Sequence, residues 1–374
     1  MTRRKRLLMG LLIASAVLLV GYGAAYVSSG EVRYLSTAGL EEMRILSKRV
    51  PIDHLASDPK TPEDLRARAK LVLAVRRFAV TDEGLDAKAT YTTYSDVGRD
   101  TLLLVLTASP KDCICPVTWH YPIVGSVPYR GFFKFDDAVD AAGQYAAKGY
   151  DVNLRPSAAF STLGWFNDPL LSTAIMSDSV ELAALVFHEI AHNTLWVKGA
   201  TAFNESFAQW VGYRSAEDFF TSRNDTAMVN LARGRWHDEH VLGDYYRLLI
   251  RRLDSLYALK LPPAGNDSGR AVIARWSRDT LATGFGPQLR TYSIGNVKER
   301  PINNAALIGV RLYRTNLELF DAWDAANDHD LARAVYRLKE LLKGARGDQA
   351  FKRMAAILHM TPADSLTGDA ATAN

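Results

Sequence analysis

Apolar positions along this chain fall into three regimes. From Leu7 to Val27 nearly every residue is apolar, and no charged residue occurs between Leu7 and Gly30. Those 21 residues match the roughly 20 that cross a bilayer as a helix. A second regime mixes short apolar runs with turns. Thr61-Pro62-Glu63-Asp64 carries a capping Thr, a Pro at the first helical position and acids in the first turn, and predicts a helix to about Val80. Thr101 to Ala108 reads as a buried strand, as do Trp119–Val124 and Arg130–Phe135 around a Gly125–Pro128 turn. Asp136 to Lys148 predicts a helix closed by Gly149, and Asp151 to Ser157 alternates as a strand. The third regime is helical: Val241–Leu259, Asn304–Ala325, Asp330–Lys343 and Gln349–Leu358, with Pro262 to Asp267 as a loop and a frayed last dozen residues.

The pattern predicts an α+β fold, mainly helical, with a small N-terminal mixed sheet. One N-terminal transmembrane or signal segment (residues 1–30) precedes a single catalytic body (31–374). Within that body we expect a mixed lobe over about 31–200 and a helical lobe over about 201–374. No internal repeat appears.

Composition narrows this little. At 374 residues and 48% hydrophobic content the chain can bury a large core. The net charge of +4 is matched by Arg3, Arg4, Lys5 and Arg6 alone. No clustered basic face remains for nucleic acid. Those four cations orient the apolar segment with its N-terminus in the cytoplasm and the body outside. A signal peptide with a shorter apolar region, cleaved near the small residues Gly21 to Ala25, is the alternative. Cys113 and Cys115 are the only cysteines. They cannot make a four-thiolate zinc site. They are either two inert loop thiols or, in an oxidising compartment, a small disulfide.

Candidate chemistry sits in one run, His188-Glu189-Ile190-Ala191-His192, at the end of the apolar stretch Val180 to Phe187. Chance would give H-E-x-x-H about 0.006 times in a chain with 8 His. Residues four apart share a helical face, so His188 and His192 can reach one Zn²⁺ while Glu189 leans toward the open side of the metal. Asp178 with Glu181 reads as a capped helix start, and Gly199 as its stop. The chain has Leu195 and Lys198 where a metzincin would carry Gly and His, which excludes that class. A third ligand must come from further on. Glu205, flanked by Phe203, Phe207 and Trp210, is favoured because a buried carboxylate wants a partner. Glu217, among Ser215, Ala216 and Asp218, reads as an exposed helix end.

The string H-E-I-A-H-N-T-L-W-V-K-G-A-T-A-F-N-E-S-F-A resembles the bacterial predicted-aminopeptidase family of gluzincin-type zinc peptidases. So do Trp119 to Phe133, Ser161 to Pro169 and Asn303-Asn304-Ala305. The resemblance covers nearly everything after residue 30. It implies a zincin-like fold, one zinc ion held by His188, His192 and Glu205, Glu189 as general base, and peptide substrates. Some members carry a lipoprotein-type cysteine after the apolar segment, and this chain has none there.

Further candidates follow from what such chemistry needs. An oxyanion donor is expected from a downstream helix, with Tyr313 the first choice and His237 or His240 the rivals. Residues 123–133 form either an edge strand for a peptide substrate or an ordinary hairpin. Asp168 is either a brace for a metal ligand or a turn residue. The position one turn after Glu205 is Gln209, so no acid braces a histidine from there. The reading is therefore a membrane-tethered, outward-facing zinc peptidase. Its rival is a non-catalytic, zinc-stabilised envelope protein that binds peptides or a partner.

Overall fold

The computed structural model describes residues 3–121, 125–157, 169–295 and 302–363. The molecule is mostly helical with small sheets. In chain order it begins with α1 (Arg3–Ser28), α2 (Gly30–Ser47), β1 (Val50–Pro51), α3 (Ile52–Ser57), α4 (Glu63–Thr81), β2 (Thr93–Ser95) and β3 (Leu103–Ser109). Then come β4 (Trp119–Tyr121), β5 (Gly125–Val127), β6 (Arg130–Phe132), α5 (Phe135–Ala147), β7 (Asp151–Ser157), β8 (Leu170–Leu171) and α6 (Ser172–Ile175). The helical remainder is α7 (Ser179–Thr194), α8 (Thr201–Thr221), α9 (Thr226–Ala258), α10 (Pro263–Thr280), α11 (Asn304–Tyr313), α12 (Leu317–Ala325), α13 (Leu331–Leu341) and α14 (Gln349–Leu358).

Among the described residues one helix is apolar enough to cross a membrane or to serve as a signal sequence, Leu8–Ser28 within α1, and none of it is buried against the body. The next helix, α2, is tied down instead. Arg130 of β6 grips Glu31 with both guanidinium nitrogens, at 2.6 and 3.0 Å, and lies 3.7 Å above the Tyr34 ring.

Where one mixed sheet was expected, the described residues form three small ones, ordered β1-β2-β8, β6-β3-β7 and β4-β5. In the second, β3 runs antiparallel to both neighbours, with Leu106 opposite Leu154 and Ala108 opposite Val152. Side chains alternate across a sheet. Leu104, Leu106, Phe132, Val152 and Leu154 thus face Ala138 and Ala142 of α5, while the other face meets α11.

The largest core surrounds α7 and α8. Phe187, Phe203, Phe207, Trp210, Phe219, Phe320 and Phe351 are each almost fully buried there. Burial of each such side chain contributes about 1.5–3 kcal/mol. Gly212 lets the two helices touch: a Cβ there would sit 2.8 Å from the Ala184 carbonyl oxygen and 3.6 Å from His188 Cβ.

Several expected boundaries move. Most of the expected Gly125–Pro128 turn is strand β5, which pairs antiparallel with β4, Trp119 opposite Val127 and Tyr121 opposite Gly125. The helix stop expected at Gly199 comes earlier, at Thr194, where Leu195 turns extended; Gly199 (φ +71°) bends the chain into α8 instead. Asn304–Ala325 is two helices, since Asn316 adopts φ +51° between them. The loop expected at Pro262–Asp267 is the first turn of α10, which Pro263 opens. Cys113 and Cys115 are joined as a disulfide.

Candidate metal centre

Asp178 caps α7 by accepting hydrogen bonds from the backbone N–H groups of Val180 and Glu181, at 3.0 and 3.1 Å. Glu181 does not reach back to close the expected capping box. It pairs with Arg235 of α9 at 2.7 Å and accepts a hydrogen bond from Tyr213 at 3.1 Å. The start of α7 is thus clamped to both α8 and α9.

Further along α7, His188 and His192 turn their Nε2 atoms toward one another at 3.1 Å. Glu205 of α8 completes the group, with Oε2 3.5 Å from His188 Nε2 and 3.8 Å from His192 Nε2. Ligand atoms at the corners of a zinc tetrahedron with bonds near 2.0–2.1 Å lie roughly 3.3 Å apart. The three separations bracket that value, so the group can hold a metal ion. Two imidazoles and a carboxylate are also the donor set that suits zinc.

The electrostatics agree with a site built for a cation. Burial works to lower the His188 pKa, but its hydrogen bond to Glu205 and the charges of Glu189 and Glu205 raise it. His192 is lowered to about 4, by burial first and then by the neighbouring His188 charge. Burial tends to raise Glu205, yet contacts with His188, His192 and the Tyr313 hydroxyl bring it below the usual carboxylate range. Glu189, one position round the helix, lies close enough to influence both His188 and Tyr313.

Two side chains flanking Glu205, neither of them a candidate above, tie its stretch of α8 to neighbouring segments. Asn204 is fully buried and uses both ends of its amide on Val197, accepting from the N–H and donating to the carbonyl oxygen at 2.9 Å each. Ser206 accepts a hydrogen bond from the Thr315 N–H at 3.2 Å. The first fixes the α7–α8 connection and the second fixes the segment after Tyr313. Only their polarity between Phe203 and Phe207 marked them, in a stretch otherwise destined for the core.

Tyr313 ends α11 with its hydroxyl on Glu205 and its ring centroid 6.3 Å from that of His188. Burial and the Glu205 charge push its pKa up. The rival oxyanion donors lie elsewhere: His237 faces Asp238 at 3.3 Å and His240 faces Asp321 at 3.0 Å. Glu217 pairs with Arg233 at 2.7 Å. Asp168 and residues 123–124 of the candidate edge strand lie outside the described residues.

One further pair comes close. Tyr129, on the connection between β5 and β6, is 42% exposed as a residue. Its hydroxyl end is packed, and burial together with the Glu205 charge raises its pKa. The Arg155 guanidinium of β7 opposes that rise at both Tyr129 and Tyr313.

Comparison with known proteins now bears on this geometry. The model of the family described as "Putative aminopeptidase" matches residues 33–353. The chain belongs to that family. Membership supports a peptidase, hence a hydrolase, and its span takes in α7, α8 and α11. No curated protein and no solved structure matches the chain.

Proposed function

We propose that this member of the aminopeptidase family is a zinc-dependent peptidase with His188, His192 and Glu205 as the metal ligands. The observation that carries the reading is the meeting of two imidazole Nε2 atoms and one carboxylate oxygen at 3.1–3.8 Å, with Glu189 alongside and Tyr313 on the carboxylate. A bound zinc ion supplies Lewis-acid chemistry, lowering the pKa of a water to about 7 and polarising a carbonyl oxygen.

The chain's own residues supply the rest. Glu189 takes the proton of the attacking water and delivers it to the nitrogen of the leaving amine. Tyr313 donates its hydroxyl proton in a hydrogen bond to the carbonyl oxygen as negative charge builds there. Its raised pKa keeps it a donor through the neutral range. Asn204 and Ser206 tie the turn of α8 that carries Glu205 to the α7–α8 connection and to the segment after Tyr313. The apolar α1, behind its four cations, anchors the body outside the cytoplasm.

The test is metal analysis of the full chain joined to peptide hydrolysis. One chelator-sensitive zinc per chain is expected. Glu189→Gln should keep that zinc and lose at least about two orders of magnitude in turnover. An unchanged rate in that variant removes the mechanism. Zinc bound without hydrolysis of any peptide in a library would favour a non-catalytic envelope protein.

A further inference from the structure

The outer face of the β6-β3-β7 sheet carries a cation that the chemistry above leaves unused. Val152 and Leu154 of β7 face α5, so Asp151, Asn153 and Arg155 face the opposite way, toward α11. Asp151 confirms the direction. It accepts the Asn304 N–H at 2.9 Å, at the start of α11, and pairs with Arg270. From Asn304 to Tyr313 the helix advances about 13.5 Å. From Asp151 to Arg155 the strand advances about 13 Å. Running side by side, they bring Arg155 abreast of Tyr313.

The charges that bear most on Tyr313 are Glu205, Arg155 and Glu189, joined by the Tyr129 phenol. Glu205 is taken up by His188, His192 and Tyr313, and Glu189 is assigned to proton transfer. Arg155 is exposed and has no hydrogen-bond or ion-pair partner among the described residues. A substrate carboxylate would find a guanidinium with five donors and the Tyr129 hydroxyl beside it.

We infer that Arg155, with Tyr129, forms a subsite for the α-carboxylate of a short peptide substrate. This inference rests on the peptidase reading and adds a substrate class to it. One peptide residue spans roughly 3.5 Å, so a carboxylate held beside Tyr129 and Tyr313 lies within one or two residues of the bond being cut. The substrates are thus di- and tripeptides. Bidentate geometry favours arginine over lysine at such a position.

The experiment uses the full zinc-loaded chain in detergent and matched pairs such as Ala-Ala-Ala and its C-terminal amide. The wild-type protein should prefer the free acid by roughly tenfold or more, chiefly through KM. In Arg155→Met that preference should fall toward unity, and Arg155→Lys should retain part of it. Equal rates on acid and amide in the wild type, or an acid preference that survives in Arg155→Met, would overturn the inference. Calorimetric titration of both peptides into Glu189→Gln, with and without Arg155→Met, separates the two levels. If no peptide is hydrolysed, the peptidase reading falls, yet tighter binding of the acid that depends on Arg155 still supports the subsite. Acid and amide binding alike would sink the subsite whatever the activity.

Discussion

Two helices carry histidines and acids in close succession, and they use them in opposite ways. On α7, His188-Glu189-x-x-His192 turns its ring nitrogens toward each other and toward Glu205, so three groups that would each welcome a cation share one small volume. On α9, Trp236-His237-Asp238-Glu239-His240 disperses its histidines to separate acids and buries the two carboxylates, Asp238 fully and Glu239 to 2% exposure. Asp238 accepts from the N–H groups of Arg290, Thr291 and Tyr292 and from the Thr291 hydroxyl. Glu239 lies 2.7 Å from Arg314 Nε and accepts from the Tyr292 hydroxyl at 3.1 Å. The lesson is that burial of charge alone does not distinguish chemistry from architecture. What distinguishes them is whether the protein's own donors satisfy the group. On α9 they do; on α7 the neighbours are mostly acceptors.

The contrast can be broken by exchanging which helix is damaged. The largest effect is expected from Glu205→Ala, which should weaken zinc binding by more than the 10–100-fold typical of losing an outer partner. His240→Ala should leave zinc content unchanged. Loss of metal from the α9 variant, read by metal analysis, would erase the distinction. Next comes Glu239→Ala, which strands Arg314 in a largely buried position. Breaking such a pair costs about 3–5 kcal/mol, and urea unfolding should report it without a matching loss of zinc. Gly212→Ala forces a methyl against the Ala184 carbonyl beside His188. It should cost about 1–3 kcal/mol and loosen zinc as well, the one substitution expected to register on both measurements.

The smallest effect is one of pH. Burial works to raise the Asp238 carboxyl, but the hydrogen bonds from residues 290–292 win and hold it below the ordinary carboxylate range. A depressed folded-state value means that its stabilisation is complete above the unfolded value of about 3.9 and is lost as pH falls through the folded one. The gap in urea midpoint between wild type and Asp238→Asn should therefore be constant near neutrality and close below about pH 4. A gap that widens on acidification would contradict the assignment.

How much of this was legible in the chain depends on how local the cause is. The cap at Asp178, the helix Gln349–Leu358 and the strand Asp151–Ser157 rest on nearest-neighbour chemistry, and all three appear where the residues predict them. The His188/His192/Glu205 convergence was legible because helical periodicity supplies two members and a buried acid the third. The break at Asn316 was not, since a left-handed residue in an otherwise continuous apolar period leaves no periodic trace. The structural roles of Asp238 and Glu239 were not legible either, because their partners, Arg314 and residues 290–292, are 50 to 75 positions away. Arg155 and Tyr129 escaped for the same reason. Strand alternation placed Arg155 on a face, but only the fold reveals what that face looks onto.

The grip of Arg130 on Glu31 and Tyr34 has a consequence for where the body could be cut from its apolar N-terminal helix. The first residue after the apolar stretch to enter the body's network sits only three positions beyond Ser28, and the N-cap of that second helix is Ser29. A protease cutting before Ser29 would free an undamaged globule that keeps its clasp. One cutting a single helical turn later would remove Glu31 and leave Arg130 only the Tyr34 ring. Release with the ion pair intact and release without it are separated by about one turn of helix.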